Sequence, residues 1–182
     1  MTARMLAAAA ALLALSGCAA QDLNRAHAPE CRASDEIIIV AQSVPSASLL
    51  PCVESIPLGW TFRALEVRDG ESSFSLESDR AGGRVLGPLH VALEVTLTPR
   101  CDVSGASEVP SDELAARQYR RLRSLRPYSG RTFYVFAGGC VVYDFDFRGS
   151  AGASLATEIT AALSFVPREE VEEELEAADL QL

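Results

Sequence analysis

Cysteine is the residue type whose chemistry this sequence constrains most. The chain of 182 residues contains five cysteines and only two histidines. A thiol can be acylated, can form a disulfide bond or can bind a metal, and its position and partners decide among these reactions. Cys18 follows an apolar segment near the N-terminus, whereas four others are spread over the rest of the chain: Cys31, Cys52, Cys101 and Cys140. The two groups therefore need separate explanations.

Cys18 ends a segment that has the features of an export signal. Arg4 supplies a positive charge, and residues 5–15 form an uncharged apolar run. This run is too short for a membrane span, which needs roughly 20 apolar residues. The residues up to the cysteine resemble the lipobox of bacterial lipoproteins, Leu15-Ser16-Gly17-Cys18. The resemblance implies cleavage before Cys18 and acylation of its thiol. The acyl chains would anchor the protein to the extracytoplasmic face of the cell membrane.

The lipobox motif divides the chain into four parts. Residues 1–17 are expected to be the signal peptide, and residues 18–34 the lipidated cysteine and a tether. Residues 35–166 are long enough for a single domain with one core. Residues 167–182 are rich in acids and predict an acidic helix or tail. The alternative is an ordinary signal peptide, in which Cys18 is merely an apolar residue near the cleavage site.

The four remaining cysteines predict two disulfide bonds, because an even number is typical of exported chains. Four cysteines allow three connectivities, and the sequence does not choose strictly among them. We favour Cys31 with Cys52 and Cys101 with Cys140, because each bond then joins neighbouring segments. A zinc site would favour CxxC pairs, which are absent from the sequence. We therefore expect neither a metal nor a cofactor.

Histidines and paired carboxylates give weak evidence for catalysis. His27 lies in the tether, where a catalytic geometry cannot be held, and His90 lies at the start of a predicted strand. No GxSxG motif accompanies them. Asp144 and Asp146 resemble the DxD signature of metal-dependent sugar transferases, but any half-exposed strand shows the same alternation. We therefore expect no catalytic residue and no enzyme.

Arginine is concentrated in one segment of an acidic chain. All 16 basic residues are arginine, and the net charge of −9 argues against a nucleic-acid partner. Six arginines nevertheless lie between residues 117 and 131. They either bind an anionic lipid or wall polymer or, the alternative that we favour, pair with the acids of residues 169–179. The candidates for binding an anionic partner are Arg117, Arg120, Arg121 and Arg123.

Alternating apolar residues predict most of the strands. The strongest signals are two hairpins, of which one turns at Asp69-Gly70 and the other at Gly138-Gly139. The prolines at positions 45, 51 and 57 predict turns instead of a ladder strand in residues 43–57. The expected strands cover residues 35–42 (a strand or an apolar clamp), 60–68, 72–78, 89–98, 131–137 and 140–148.

Three segments predict helices. Ser111 is the expected N-cap of a helix that ends near Ser124, with leucines on one stripe and arginines on the other. Ser154 is expected to cap a helix over residues 155–165, and Pro167 to open the acidic one. The order of elements predicts an α+β domain. We expect an antiparallel sheet of about five strands (two hairpins plus one strand) packed with two to three helices.

Several short motifs carry a second resemblance. They are Ala41 to Ala47, Pro51-Cys52, Gly59-Trp60, Cys101-Asp102, Glu108 to Ser111, and Gly138 to Cys140 followed by Tyr143 to Phe145. Over about residues 35–167 the chain resembles exported actinobacterial proteins of unassigned function. The resemblance implies a membrane-associated cell-surface domain with cysteines at these places, and it brings no catalytic or ligand-binding residues. The function expected is non-enzymatic binding of an envelope protein, a lipid or a wall component. The alternative is a carrier of a lipid or another apolar ligand.

Substitution of the lipobox cysteine tests the anchor. The variant Cys18→Ala has no thiol to acylate, so we expect the protein to move from the membrane fraction to the soluble fraction. Immunoblotting of fractionated cells measures this distribution, with Cys31→Ala as the control. A Cys18→Ala protein that stays in the membrane fraction would contradict the lipobox interpretation.

Overall fold

The structure is a computed structural model that describes residues 27–81, 91–148, 150–180 and 182. Cys18 and His90 lie outside the described residues, and with them the predictions of lipidation and of a histidine at a strand start. Within the described part of the chain there are three helices, α1 (Asp35–Ser43), α2 (Gly152–Thr160) and α3 (Arg168–Ala177). The strands are β1 (Leu49–Val53), β2 (Trp60–Arg68), β3 (Glu71–Ser78), β4 (Leu93–Thr98), β5 (Ser107–Val109), β6 (Arg117–Leu125), β7 (Tyr128–Phe136), β8 (Gly139–Phe147) and β9 (Leu163–Pro167).

The strands form two antiparallel sheets. The large sheet has seven strands in the order β2-β3-β4-β8-β7-β6-β5, and the small one pairs β1 with β9. The predicted α+β class is confirmed, and so are both hairpins, β2–β3 and β7–β8. The expectation of about five strands is wrong, because four further segments pair as strands: β1, β5, β6 and β9.

Residues 35–42 were expected to form a strand or an apolar clamp and instead form most of α1. The hydroxyl of Ser34 caps this helix by accepting a hydrogen bond from the backbone N–H of Ile37 at 3.3 Å. Asp35 and Glu36 in the first turn are favourable next to the positive end of the helix dipole. These signals for the start of a helix outweigh the strand propensity of the isoleucine run.

Residues 43–57 contain β1 despite their prolines. Strand β1 pairs along its length with β9, and among the described residues its other side forms one isolated parallel bridge, between Val53 and Glu30. A proline such as Pro51 is tolerated on an edge of this kind because its missing N–H need not remove a ladder bond. The turn prediction for this segment was therefore wrong at Leu49–Val53.

The predicted helix over residues 111–124 is also wrong. Ser111 makes a local turn with Glu113, in which its hydroxyl accepts from the backbone N–H and donates to the carbonyl of that residue. The chain then enters β6, which pairs along its length with β7. Arginine, leucine and glutamine favour helices only weakly, and the strand pairing overrides this preference. As a result, the arginines lie on both faces of a strand instead of one face of a helix.

The predicted helix over residues 155–165 is only partly right. Helix α2 ends at Thr160, and the following residues form β9, which pairs with β1. Pro167 immediately precedes the acidic helix α3, as predicted. Val171 and Leu175 of α3 are buried in the core.

The core lies between one face of the large sheet and a layer formed by the helices and the small sheet. Alternate residues of β8 point into it, namely Val141, Tyr143, Phe145 and Phe147. Helix α2 packs on β8 and β7, whereas α1 packs on β2 and β3. On this face of the large sheet, α2 therefore covers β8 and β7 and ends before β6.

One guanidinium group joins α3 to the end of α1. Arg168 donates hydrogen bonds to the carbonyl oxygens of Ala41, Val44 and Ala47 at 2.7, 2.8 and 2.7 Å. Carbonyls at the end of a helix have no partner within that helix, so this arginine satisfies groups that burial would otherwise penalise. Burial lowers the pKa of Arg168 from its ordinary value.

Both favoured disulfide bonds are present. Cys31 is bonded to Cys52, and Cys101 to Cys140. The first joins the segment before α1 to β1, and the second joins the loop after β4 to the start of β8.

Non-reducing peptide mapping should recover the peptide pairs of these two bonds and no free thiol among the four cysteines. Removal of either bond, as Cys31→Ser/Cys52→Ser or Cys101→Ser/Cys140→Ser, should lower the free energy of unfolding by roughly 2–4 kcal/mol. Urea denaturation measures this change. A Cys31–Cys101 peptide, or two free thiols, would contradict the connectivity.

Candidate functional site

A groove lies between α2 and the strands β6, β7 and β8 and has a volume of about 320 Å³. We call it the α2 groove. Its apolar lining comes from the strands (Leu93, Tyr128, Phe145 and Phe147) and from α2 and the turn after it (Ala153, Ala156, Ile159 and Ala161). Its polar lining consists of Asp112, Arg120, Thr132, Tyr143, Thr157 and Thr160. The groove combines an apolar body with a few polar groups, as small-molecule sites do.

Strand register places three polar side chains of the groove in one row. Arg120 of β6 lies opposite Thr132 of β7, and Thr132 lies opposite Tyr143 of β8. Neighbouring strands are about 4.8 Å apart, so the row spans roughly 10 Å across the sheet. A cation and two hydroxyls are therefore presented side by side.

The two hydroxyl groups of this row belong to buried residues. Tyr143 is 3% exposed and Thr132 is 6% exposed. Neither hydroxyl forms a hydrogen bond with another described residue, and neither oxygen is among the buried atoms that lack a partner, so both reach the solvent of the groove. Burial raises the pKa of Tyr143 well above its ordinary value, so the phenol is a neutral donor at physiological pH. These hydroxyls are available to a molecule in the groove.

The neighbouring Tyr134 has the opposite character. Its hydroxyl accepts a hydrogen bond from Nε2 of the buried Gln118 at 2.9 Å and donates to Oδ2 of Asp112 at 3.4 Å. Burial, followed by the charge of Asp112, raises its pKa. Tyr134 is therefore held by Gln118 and reaches Asp112 through a long contact at the groove.

Asp112 and Arg120 bring opposite charges to the same groove. Among the described residues, neither forms an ion pair with the other or with a third residue. Both are exposed, so water screens them. A ligand that displaced this water would meet both charges.

Aromatic rings form the floor of the groove. Tyr128 stacks on Phe145 with a centroid distance of 5.4 Å, and Phe145 stacks on Phe147 at 5.7 Å. Trp60 meets the Phe147 ring edge-on at 5.9 Å. At the start of α2, a Cβ atom on Gly152 would lie 2.6 Å from the Cβ of Tyr128. Glycine at this position therefore lets the helix approach the floor closely.

Of the four predicted anion-binding arginines, only Arg120 lines the groove. Arg117 binds both carboxylate oxygens of Glu108, and these hydrogen bonds lower the pKa of Glu108. Arg121 donates to the carbonyl of Ser104 at 2.7 Å and lies over Phe133, and Arg123 binds Asp144. The carboxylate partners are thus Glu108 and Asp144, not the acids of residues 169–179.

The opposite face of the large sheet carries the DxD pair. Asp144 accepts hydrogen bonds from Arg123 and Arg131, each at 2.6 Å. Glu94 lies opposite Asp144 on β4. Burial, followed by the charge of Asp144, raises the pKa of Glu94. Asp144, the first aspartate of the DxD pair, therefore forms ion pairs with two arginines.

The described residues contain no group of three or more histidine, cysteine, aspartate or glutamate side chains that could hold a metal ion. Among the helices of the described chain, none is long and apolar enough to cross a membrane. Comparison with family models, with curated proteins and with solved structures found no match to this chain.

Sequence reasoning found Arg120 but missed the residues that complete the groove. Thr132 and Tyr143 meet only because β7 and β8 pair in this register, and Asp112 was assigned to a helix. One signal is present in the sequence: alternation places Tyr143 on the same strand face as Val141, Phe145 and Phe147. A buried tyrosine usually has a hydrogen-bond partner for its hydroxyl, and the sequence alone does not identify one for Tyr143.

The two tyrosines allow a matched test of the unpartnered hydroxyl. Tyr134→Phe should lower the free energy of unfolding by about 1–2 kcal/mol, because it leaves the buried Gln118 amide without its partner. Tyr143→Phe should change it by less than about 0.5 kcal/mol, because no hydrogen bond is lost. Urea denaturation measures both. Equal destabilisation by the two substitutions would contradict a free Tyr143 hydroxyl.

Glu94 predicts a pH-dependent change in stability. Its folded-state pKa is raised, so the ionised carboxylate is unfavourable in the folded state above that pKa. Glu94→Gln should therefore raise stability at pH 7 by up to about 0.5 kcal/mol. The gain should disappear as the pH falls through the pKa, where the wild-type side chain is also neutral. Thermal unfolding from pH 3 to 8 measures it, with Glu54→Gln as control. A gain that persists at pH 3 would contradict this cause.

Proposed function

We propose that this protein is a membrane-anchored extracytoplasmic lipoprotein whose folded body is a non-enzymatic binding module, with the α2 groove as its binding site. The anchor is the lipidated Cys18. The observation that carries the binding role is the pair of hydroxyl groups of the buried residues Thr132 and Tyr143, which line the groove and form no hydrogen bond with another described residue. Both hydroxyls open to the groove, so a bound ligand can take their hydrogen bonds in place of water.

The composition of the groove supports a small ligand. The volume of about 320 Å³ lies near the lower end of the range of ligand pockets, roughly 300–1,000 Å³. Rings on the floor offer apolar contact, and polar groups on the wall offer orientation. Such a site selects by hydrogen bonding as well as by fit.

Carriage of a lipid or another apolar ligand is the second candidate. The stacked floor of Tyr128, Phe145 and Phe147 favours it. The charged side chains Asp112 and Arg120 on the wall weigh against a wholly apolar occupant, because they would lose water without gaining a partner. A polar or charged end on the ligand would remove this objection.

Native mass spectrometry of the full chain, taken from its own envelope in mild detergent, tests the proposal. We expect a non-covalent small-molecule adduct on the wild-type protein. The variant Ala156→Phe places a ring in the groove and should lose the adduct. The matched variant Ser154→Phe adds the same ring at an exposed position of α2 outside the groove lining and should keep it.

The outcomes separate the alternatives. An adduct that survives Ala156→Phe would place the ligand elsewhere and contradict the groove as the site. Wild-type protein without any adduct would contradict a resident small ligand. Added protein mass would instead favour a partner protein, and an adduct with the mass of a lipid would favour the carrier.

A further inference from the structure

We propose that the ligand of the α2 groove is a small zwitterion with an apolar body, of the class of free α-amino acids with apolar side chains. This inference rests on the proposed function and adds the chemical class of the ligand. Its starting point is that one groove of about 320 Å³ is lined by one cation and one anion that do not pair with each other. Two separate opposite charges in one groove are complementary to a ligand that carries both a negative and a positive group.

The carboxylate end of the ligand fits the row of Arg120, Thr132 and Tyr143. The guanidinium of Arg120 has no ion-pair partner among the described residues, unlike those of Arg117 and Arg123. Guanidinium binds carboxylate with strong, directional hydrogen bonds, and the two hydroxyls donate to the same kind of acceptor. The register of β6, β7 and β8 fixes all three groups on one line across the sheet.

The ammonium end fits Asp112. Its Oδ2 accepts only the long 3.4 Å hydrogen bond from Tyr134 among the described residues, so acceptor capacity remains on this carboxylate. Tyr134 is buried and is itself held by Gln118. The carboxylate of Asp112 is at the surface, in long contact with this buried side chain.

The apolar side chain of the ligand fits the floor and the α2 wall. Phe145 and Tyr128 present stacked rings, and Ala156 leaves space where a larger residue would fill the groove. The volume suits a molecule of amino-acid size.

Isothermal titration calorimetry of the full chain in detergent at pH 7 tests the class with three matched probes. L-Phenylalanine carries both charges, 3-phenylpropionate only the carboxylate, and 2-phenylethylamine only the ammonium group. We expect L-phenylalanine to bind at least about tenfold more tightly than either of the others. Equal binding of one singly charged probe, or no binding of L-phenylalanine, would overturn the zwitterion class.

Two variants assign the charges. Arg120→Gln should lower the affinity for L-phenylalanine about tenfold and leave the affinity for 2-phenylethylamine unchanged. Asp112→Asn should lower the affinity for L-phenylalanine and leave the affinity for 3-phenylpropionate unchanged. Both residues are exposed, so their replacement does not disturb the core. The controls Arg100→Gln and Glu54→Gln remove exposed charges outside the groove lining and should leave all affinities unchanged. Equal effects of groove and control variants would overturn the assignment.

Failure of this inference and failure of the proposed function give different results. If envelope-purified protein carries an adduct that Ala156→Phe removes, but L-phenylalanine does not bind, the groove is a binding site and the zwitterion class is wrong. If neither an adduct nor L-phenylalanine binding is found, the groove is not a small-ligand site and the proposed binding role is also wrong.

Discussion

The pairing of β7 with β8 is the constraint on which the other features depend. The turn between them is tight: Gly138 has a φ of +70°, and a Cβ atom there would lie 1.7 Å from the carbonyl oxygen of Ser46. Glycine is therefore required at this turn. The turn fixes the register, and the register decides which side chains face the helices and which face the opposite side. A slip of one residue would exchange the two faces completely.

The alternation created by this register separates two kinds of charge. On the open face of the sheet, arginines and acids are matched in pairs, as between Arg131 and Asp144. On the helix side the same alternation leaves Arg120 beside the hydroxyl groups of Thr132 and Tyr143. Exposed pairs contribute little to stability, whereas an unmatched polar row beside an aromatic floor favours recognition. The positions of charges, more than their number, distinguish the two faces.

The sequence predicts the parts of the fold in which local pattern and tertiary pairing agree. Both hairpins and the start of α3 follow from alternation and turn residues, whereas the disulfide pairing found in the structure is the favoured one of three connectivities that the sequence left open. Prediction fails where a segment suits two structures: residues 117–125 have helix-forming side chains but pair with β7, and residues 35–42 have strand-forming isoleucines behind an effective N-cap. The groove could not be predicted from the sequence for another reason. It depends on the register between three strands and on the end of α2, and neither is encoded in any single window of sequence.

The Cys31–Cys52 bond also determines how the body bears mechanical load. Any pull on the chain before residue 31 is transmitted through this bond to β1, which is paired with β9. Helix α1 follows Cys31 in the chain and is bypassed by this path. Tension would therefore act on the small sheet, while the large sheet and the groove stay outside the direct line of force.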